Sequence, residues 1–392
     1  MLRVDMLPAA HGDCLWVEYG DPDGPFRILV DAGPPFTTTY EVLVDRIRAL
    51  PPAHRVFELF VVTHIDADHI GGAIRLLRDA ETLGLTFKRI WYNGHDQLRA
   101  VPGVPHVLGV AQGEYLSLLI EQYEQRTGTT VLNVDAPGDW VGVDDGQDPP
   151  TIVFPDELSL TVLGPTPEQL ISLAMEWDEV VEELGFRDAG LALLTIEQQL
   201  EASRQLRPLL ATRDTTQVLG DDSSDEPPEV PAEFGRQVLG GEGALGSDAS
   251  VANGSSIAML LEYQGESVLL GGDSFASVLA GSVQSVLAAR SKSRLPVGAF
   301  KLPHHGSAAN LSGDLLDLLS TKHYLISTSG AQFGHPHASA IQALLDHHDG
   351  RRGKPELWFN HDSVTTAPWK SKDDQRDLGI VSHYPKGGVS WQ

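Results

Sequence analysis

"VVTHIDADHIGG", residues 61–72, decides how the rest of this chain is read. Within it His64, Asp66, Asp68 and His69 offer metal-binding side chains at closely spaced positions. They follow "HRVFELFVVTH", a nearly continuous apolar run that predicts a strand buried on both faces. They precede "GGAIRLLRDAETLG", which has helical spacing. A turn leaving a buried strand can aim several side chains at one centre. His64 and Asp66 have the same parity and could share one ion, with Asp68 and His69 turning toward a second. Gly71 and Gly72 let the helix begin close to that centre without a Cβ clash. A polar, solvated loop has no reason to carry two histidines here, so a metal site is the reading adopted.

Outward from this stretch, composition sets bounds. At 392 residues and 41% hydrophobic, the chain is long enough for one large α/β core with insertions. No run approaches 18 apolar residues, so no membrane span is expected. "MLRVDMLPAAHGDC" does not read as a signal peptide. A single cysteine, Cys14, rules out an internal disulfide and is expected in the core, with pocket lining near His11 and Asp13 as the alternative. Together these point to the cytoplasm. A net charge of −26 argues against broad attraction to nucleic acid or anionic membrane, while leaving room for a bound cation.

The chain divides into two halves with a common plan. "DCLWVEYGD" and "FRILVDAG" read as a hairpin through "DPDGP". "FKRIWYNGHD" is a strand ending in polar residues, "GEYLSLLIEQYEQRTG" a helix and "ELSLTVLGPT" the strand that closes residues 1–165. Residues 166–220 read as a helical insertion. Thr166 and Pro167 open its first helix, with Leu170, Leu173, Trp177, Val180, Val181 and Leu184 on one face. Packing on the main core is the plain reading of that face, and a cap over a substrate pocket the sharper one. Residues 221–250 hold eight acids and one Arg among many Gly, Pro and Ser, the composition of a mobile, solvated loop. From 251 to 350 the plan repeats. "SSIAMLLEYQGESVLLGGDS" is strand, turn and strand ending at Asp273, and "VGAFKLPHHGS" is a strand whose end carries His304 and His305. Residues 351–392 form a C-terminal extension with strand-like pieces. Loops at the carboxyl ends of strands are where layered α/β folds place ligands.

"THIDADHIGG" resembles the HxHxDH signature of the metallo-β-lactamase fold, with Asp66 at the second His position. "VLLGGD" resembles that fold's later strand ending in a metal-bridging Asp. "KLPHHGS" followed by "SGAQFGHPH" resembles the branch containing the soluble hydrolase domain of ComEC-like DNA-uptake proteins, and choline-binding phosphodiesterases share the Asp-substituted signature. The resemblance covers about 1–165 and 251–345. It implies an αββα sandwich. It also implies His64 and Asp66 on a first metal, Asp68 and His69 on a second, Asp273 bridging and His305 completing the second site, with His304 a ligand or a transition-state donor. Ser307 would hydrogen-bond substrate or orient a ring. His335 resembles a late His that touches the leaving oxygen, or is a turn histidine held by Pro336. One departure stands out: where the fold supplies a further His before the bridging Asp, this chain has Asn253 in "VANGSS". His95 could substitute as a ligand, and Asn93 could support the site or substrate.

The donor set lacks thiolates and is rich in carboxylates, which favours Zn2+, one or two ions, and then Mn2+. The expected chemistry is hydrolysis by metal-activated hydroxide, with Asp68 or Asp273 orienting the nucleophile and His304 or His335 serving the leaving oxygen. A phosphodiester is the first-ranked substrate. A nuclease acting on single-stranded nucleic acid leads that class, and a nucleotide or a choline phosphodiester is also compatible. A carboxylic ester or lactone hydrolase is the enzymatic rival. A non-catalytic module that keeps the fold is the other, and it predicts loss of ligands, of which Asn253 is the one clear case.

Overall fold

In the computed structural model the described residues are 1–103, 111–144, 146–183 and 244–392. The second half of the expected helical insertion and most of the acidic loop lie outside them. Among the described residues, two sheets lie face to face between two layers of helices. The first runs in the order Val389–Trp391, Leu2–Met6, Leu15–Tyr19, Phe26–Val30, Leu59–Val61 and Ile90–Trp91. The second runs Val381–His383, Glu356–Phe359, His323–Ile326, Ala299–Lys301, Glu266–Leu270, Ala258–Tyr263, Ser159–Gly164 and Thr151–Val153.

The layering follows from strand parity. Ile28 and Val30 turn toward the second sheet and pack with Leu59, Val61, Val162, Met259, Leu261, Val268 and Leu270 in a core between the sheets. The alternate residues, Trp16, Leu29 and Phe60, pack outward under the helices Thr37–Ala49, Ala67–Leu83 and Ala111–Thr127. On the other side Leu260, Leu269, Phe300 and Tyr324 pack under Ala276–Ala289, Gly313–Leu318 and Ala338–His347. This is the αββα sandwich that the sequence resemblance implied. Each fully buried Leu, Ile or Phe contributes about 1.5–3 kcal/mol, so both faces of both sheets are committed to burial.

Both predicted hairpins form. Tyr19 pairs with Phe26 across the first turn, and Tyr263 with Glu266 across the second. The run over 54–64 predicted as one strand is instead broken at Glu58. Val56–Phe57 pairs with Thr86–Phe87 in a separate ribbon, and only Leu59–Val61 joins the sheet. The cause is a buried carboxylate within the apolar run: Glu58 accepts from Lys88 at 2.7 Å. Residues 351–392 are no appendage, since they supply an edge strand to the first sheet and two strands to the second.

The Pro167–Glu183 helix opens as its sequence predicts. The Gln169 carboxamide oxygen accepts from the Thr166 backbone N–H at 3.1 Å and from its hydroxyl at 2.5 Å. Leu170, Leu173 and Ala174 bury against Leu98, Val101 and Trp140, with Ile65 and Val251 at the margin. This cluster stands apart from the sandwich core and touches the 64–69 turn through Ile65. The side chains of residues 176–183, with Trp177, Val180 and Val181 of the predicted face among them, and Leu184 lie outside the described residues.

Candidate metal centre

The strands Phe26–Val30, Leu59–Val61 and Ile90–Trp91 are parallel, as are Glu266–Leu270, Ala299–Lys301 and His323–Ile326. Their carboxyl ends bring Asp31, His64, Asp273, His304 and Ser327 to one rim. Bonds between the two halves lock that rim. Ile257 N–H donates to Thr63 O at 2.9 Å and Ser329 N–H to Ala10 O at 2.7 Å. The Asn360 side chain donates to Leu7 O at 2.9 Å and accepts from Thr328 N–H at 2.9 Å.

Asp273 is the focus. Its Oδ2 lies 3.4 Å from His69 Nε2, 3.6 Å from His305 Nε2, 3.9 Å from His304 Nε2 and 4.0 Å from His64 Nε2. The opposite nitrogen of each ring is already committed. His69 Nδ1 donates to Asp31 Oδ2 at 2.8 Å, and His305 Nδ1 donates to the Ser327 carbonyl at 2.8 Å. The Thr63 hydroxyl gives its one proton to Asp31 Oδ2 at 2.7 Å, so it accepts from His64 Nδ1 at 3.0 Å. Asn310 spends its amide hydrogens on Asp248 Oδ2 and the Asp273 carbonyl, which leaves its Oδ1 to accept from His304 Nδ1 at 2.8 Å. Every ring therefore turns its Nε2 toward one point. The Nε2 atoms of His64, His69 and His305 are buried and without a hydrogen-bond partner, as is Asp273 Oδ1. Orphaned buried acceptors cost about 1–3 kcal/mol each. A divalent cation would satisfy them together, and histidines tied at Nδ1 are how protein metal sites are built.

Four groupings among the described residues could hold ions, and two of them are built from the predicted ligands alone: His64, His69 and Asp273, and Asp68, His69 and His305. His69 belongs to both, whereas the sequence spacing had assigned it to one. Asp66 precedes the Ala67–Leu83 helix, 3.5 Å from His64 Nε2 and 42% exposed, at the mouth of the site. Asp68 Oδ2 lies 3.5 Å from His305 Nε2 and 3.9 Å from His69 Nε2.

The electrostatics favour positive charge at the centre. Burial opposes protonation of His305, but Asp273 and Asp13 outweigh it and push the ring up to about 9. His69 is likewise raised against burial, by Asp273, Asp31 and Asp68. Burial works to raise Asp68 and Asp273, yet the surrounding imidazoles hold both below the ordinary carboxylate range. A cation would take the place of those protons.

Backbone geometry is fitted to the site. Asp31, His304 and His305 have φ of 54°, 44° and 56°, a left-handed conformation that costs a non-glycine residue about 1–3 kcal/mol. The helix bearing His69 sits close to the loop after Phe26–Val30. A Cβ on Gly72 would lie 2.0 Å from Ala32 O, and one on Gly12 would lie 1.9 Å from Asp68 O. The close approach expected at 71–72 is thus present.

Several candidates stand elsewhere than their sequence reading suggested. Asn253 presents no imidazole. Its Nδ2 donates to Asp248 Oδ2 at 2.8 Å and lies 3.3 Å from His304 Nδ1, while its Oδ1 is buried without a partner. Asn93 is taken up by the backbone of Val141, donating to its carbonyl at 2.7 Å and accepting from its N–H at 2.8 Å, so it staples two loops. His95 begins the His95–Ala100 helix and joins none of the ion-holding groupings among the described residues. Ser307 is buried, and its N–H closes the His304 turn at 2.8 Å. His335 is buried against His304, ring centroids 4.9 Å apart, and burial together with His304 and His305 drives it well below its ordinary value. Cys14 lies in the helix-side core.

Asp13, Asp31, Asp248 and Asn310 were not read from sequence as site residues. Asp31 carried a signal, a lone carboxylate ending an apolar strand as His64 does. Asp248 closes the stretch expected to be solvated, yet its carboxylate lies 3.6 Å from His304 Nδ1.

No family model matches the chain, and no curated protein matches it in sequence. Among solved structures it is similar to a mutant of the CmlA beta-hydroxylase, at 12% identity and a TM-score of 0.39, covering 100% of this chain and 54% of that one. It thus spans about half of that protein's length. It is also similar to the metallo-β-lactamase fold protein YhfI from Bacillus subtilis, at 11% identity and a TM-score of 0.37, over 100% of this chain and 99% of that one. Zn(2+)-bound PqqB from Methylobacterium extorquens is similar at 13% identity and a TM-score of 0.37, over 100% of both chains. These likenesses are distant, and the chemistry of the site rests on its own geometry.

Proposed function

We propose that this chain is a metal-dependent hydrolase and, within that class, a phosphodiesterase. The observation that carries the reading is the convergence of four Nε2 atoms on Asp273 Oδ2, with each Nδ1 fixed by the protein. His64, His69, His305, Asp68 and Asp273 are the ligands that fit, with Asp66 an outer ligand at the mouth. The mixed nitrogen and carboxylate set suits zinc first and manganese second. When bound, such ions supply Lewis acidity, acidifying a water molecule and neutralising the oxygens of a phosphodiester.

The chain's own residues do the rest. Asp68, kept ionised, accepts a hydrogen bond from the attacking water and sets its direction. His304 is the least buried of the four rings, with a side chain 22% exposed. Anchored at Nδ1 by Asn310, and raised against burial above its ordinary value by Asp273 and Asp248, the ring carries a second proton at Nε2 and donates it to the leaving oxygen. His335 is held neutral behind it and keeps the ring in place. The chain's charge of −26 disfavours long duplexes, so a short single strand or a nucleotide is the substrate class we favour, in line with the ComEC-like motifs.

A second reading has its own observation. The apolar cluster of Leu98, Val101, Trp140, Leu170 and Leu173 reaches the site at Ile65, and such a wall suits an ester or lactone acyl group. Metal analysis followed by turnover of bis-p-nitrophenyl phosphate and p-nitrophenyl acetate, with Asp68→Ala as control, separates the readings. Phosphodiester turnover that is lost in the variant supports the first. Ester turnover alone supports the second, and purified chain that binds neither zinc nor manganese removes both.

A further inference from the structure

Behind His305 lies a charged pair that the proposed chemistry does not use. Lys301 ends the strand Ala299–Lys301 and is 0% exposed, and its Nζ rests on Asp13 Oδ2. Asp13 is 2% exposed, and its other oxygen is buried without a hydrogen-bond partner, 3.5 Å from His305 Nδ1. His305 gives that Nδ1 proton to Ser327 O instead.

Asp13 is also within reach of ion-holding geometry. It groups with Asp273 and His305 on one side, and with Asp31 and His69 on the other. Each grouping is buried and combines carboxylates with an imidazole, a set that would accept zinc or manganese. A buried carboxylate so placed needs a positive partner, and the ammonium already supplies one.

We propose that Lys301 is a built-in cation of this centre, occupying the position that a metal ion would otherwise take on Asp13. With the ammonium in place, Asp13 backs His305 as a fixed negative charge and ligates nothing. Lys301 is then a positioning residue that limits how many ions the cluster accepts. The inference rests on the reading of the cluster as a metal centre.

The test compares wild type, Lys301→Met and the double variant Lys301→Met/Asp13→Asn. Each is equilibrated with Zn2+ or Mn2+, freed of excess ion by gel filtration and analysed for bound metal. Lys301→Met is expected to hold about one equivalent more than wild type, and the double variant to return to the wild-type number. Equal stoichiometry in wild type and Lys301→Met overturns the inference and leaves the metal centre standing, whereas metal-free wild type overturns both. If Lys301→Met purifies poorly, its thermal midpoint with and without added Zn2+ decides. A metal-induced rise larger than that of wild type supports the inference, and an equal or smaller rise, or a chain that fails to fold in either condition, overturns it.

Discussion

Asp31→Asn tests the assignment of ring tautomers with little change of shape. The native carboxylate is 0% exposed and accepts three hydrogen bonds: from His69 Nδ1 at 2.8 Å, Thr63 Oγ1 at 2.7 Å and Thr63 N–H at 2.8 Å. An asparagine has one acceptor oxygen to offer. If that oxygen faces His69 and the Thr63 hydroxyl, the new NH2 meets the Thr63 N–H and two donors are left buried and unpaired. If the NH2 faces His69, the ring must accept at Nδ1 and move its proton to Nε2, which then has no lone pair for an ion. The Thr63 hydroxyl is also freed in that case to donate to His64 Nδ1, which transfers the same defect to a second ring. Asn tolerates the φ of 54° at this position as well as Asp does, so no backbone cost enters. Loss of such a partner lowers metal affinity about 10–100-fold. The unpaired groups cost about 1–3 kcal/mol of stability. Affinity is read by competition with a chromophoric chelator for Zn2+, and stability by urea unfolding in EDTA. Zinc affinity within about twofold of wild type would refute the argument that Asp31 fixes the metal-binding tautomers.

Other outcomes follow from the same geometry. Burial pushes the His361 imidazole down to about 4, below its unfolded value of 6.5, so the unfolded chain binds the proton first as pH falls. The stability tied to that difference is whole above pH 6.5, declines through the window down to about 4 and amounts to ~3 kcal/mol; the loss should be absent in His361→Gln when unfolding is followed against pH. Gly12→Ala forces a methyl into the Asp68 carbonyl and should cost about 1–3 kcal/mol together with measurable metal affinity; unchanged unfolding and zinc binding would count against the close approach. Gly72→Val, against Ala32 O, should destabilise at least as much, read as a lowered denaturation midpoint. Removing metal with EDTA should lower the thermal midpoint, and the stability lost grows with the zinc first present, reaching about 2.7 kcal/mol at a hundredfold excess over Kd. A midpoint indifferent to EDTA would show that the orphaned Nε2 atoms have no ion to lose.

The sequence by itself determined the local units and the donor types. Alternation predicted the hairpins, the apolar run before His64 placed the turn rich in His and Asp at a strand end, and the glycines at 71–72 marked a close approach. It did not reveal the break at Glu58, because a buried carboxylate within an apolar run is settled by a partner elsewhere, here Lys88. Nor did it show that residues 351–392 complete both sheets. Val389–Trp391 pairs antiparallel with Leu2–Met6, at the other end of the chain, and Glu356–Phe359 pairs parallel with His323–Ile326; no tight turn joins either pair, so no spacing signal marks the strands that meet. Tertiary structure alone decided which nitrogen of each histidine faces the centre. That choice depends on Asp31, Thr63, Asn310 and Ser327, and two of them, Asp31 and Ser327, stand far along the chain from the rings they hold. A ligand's type is a property of its residue, whereas its direction and protonation belong to the neighbours that folding supplies.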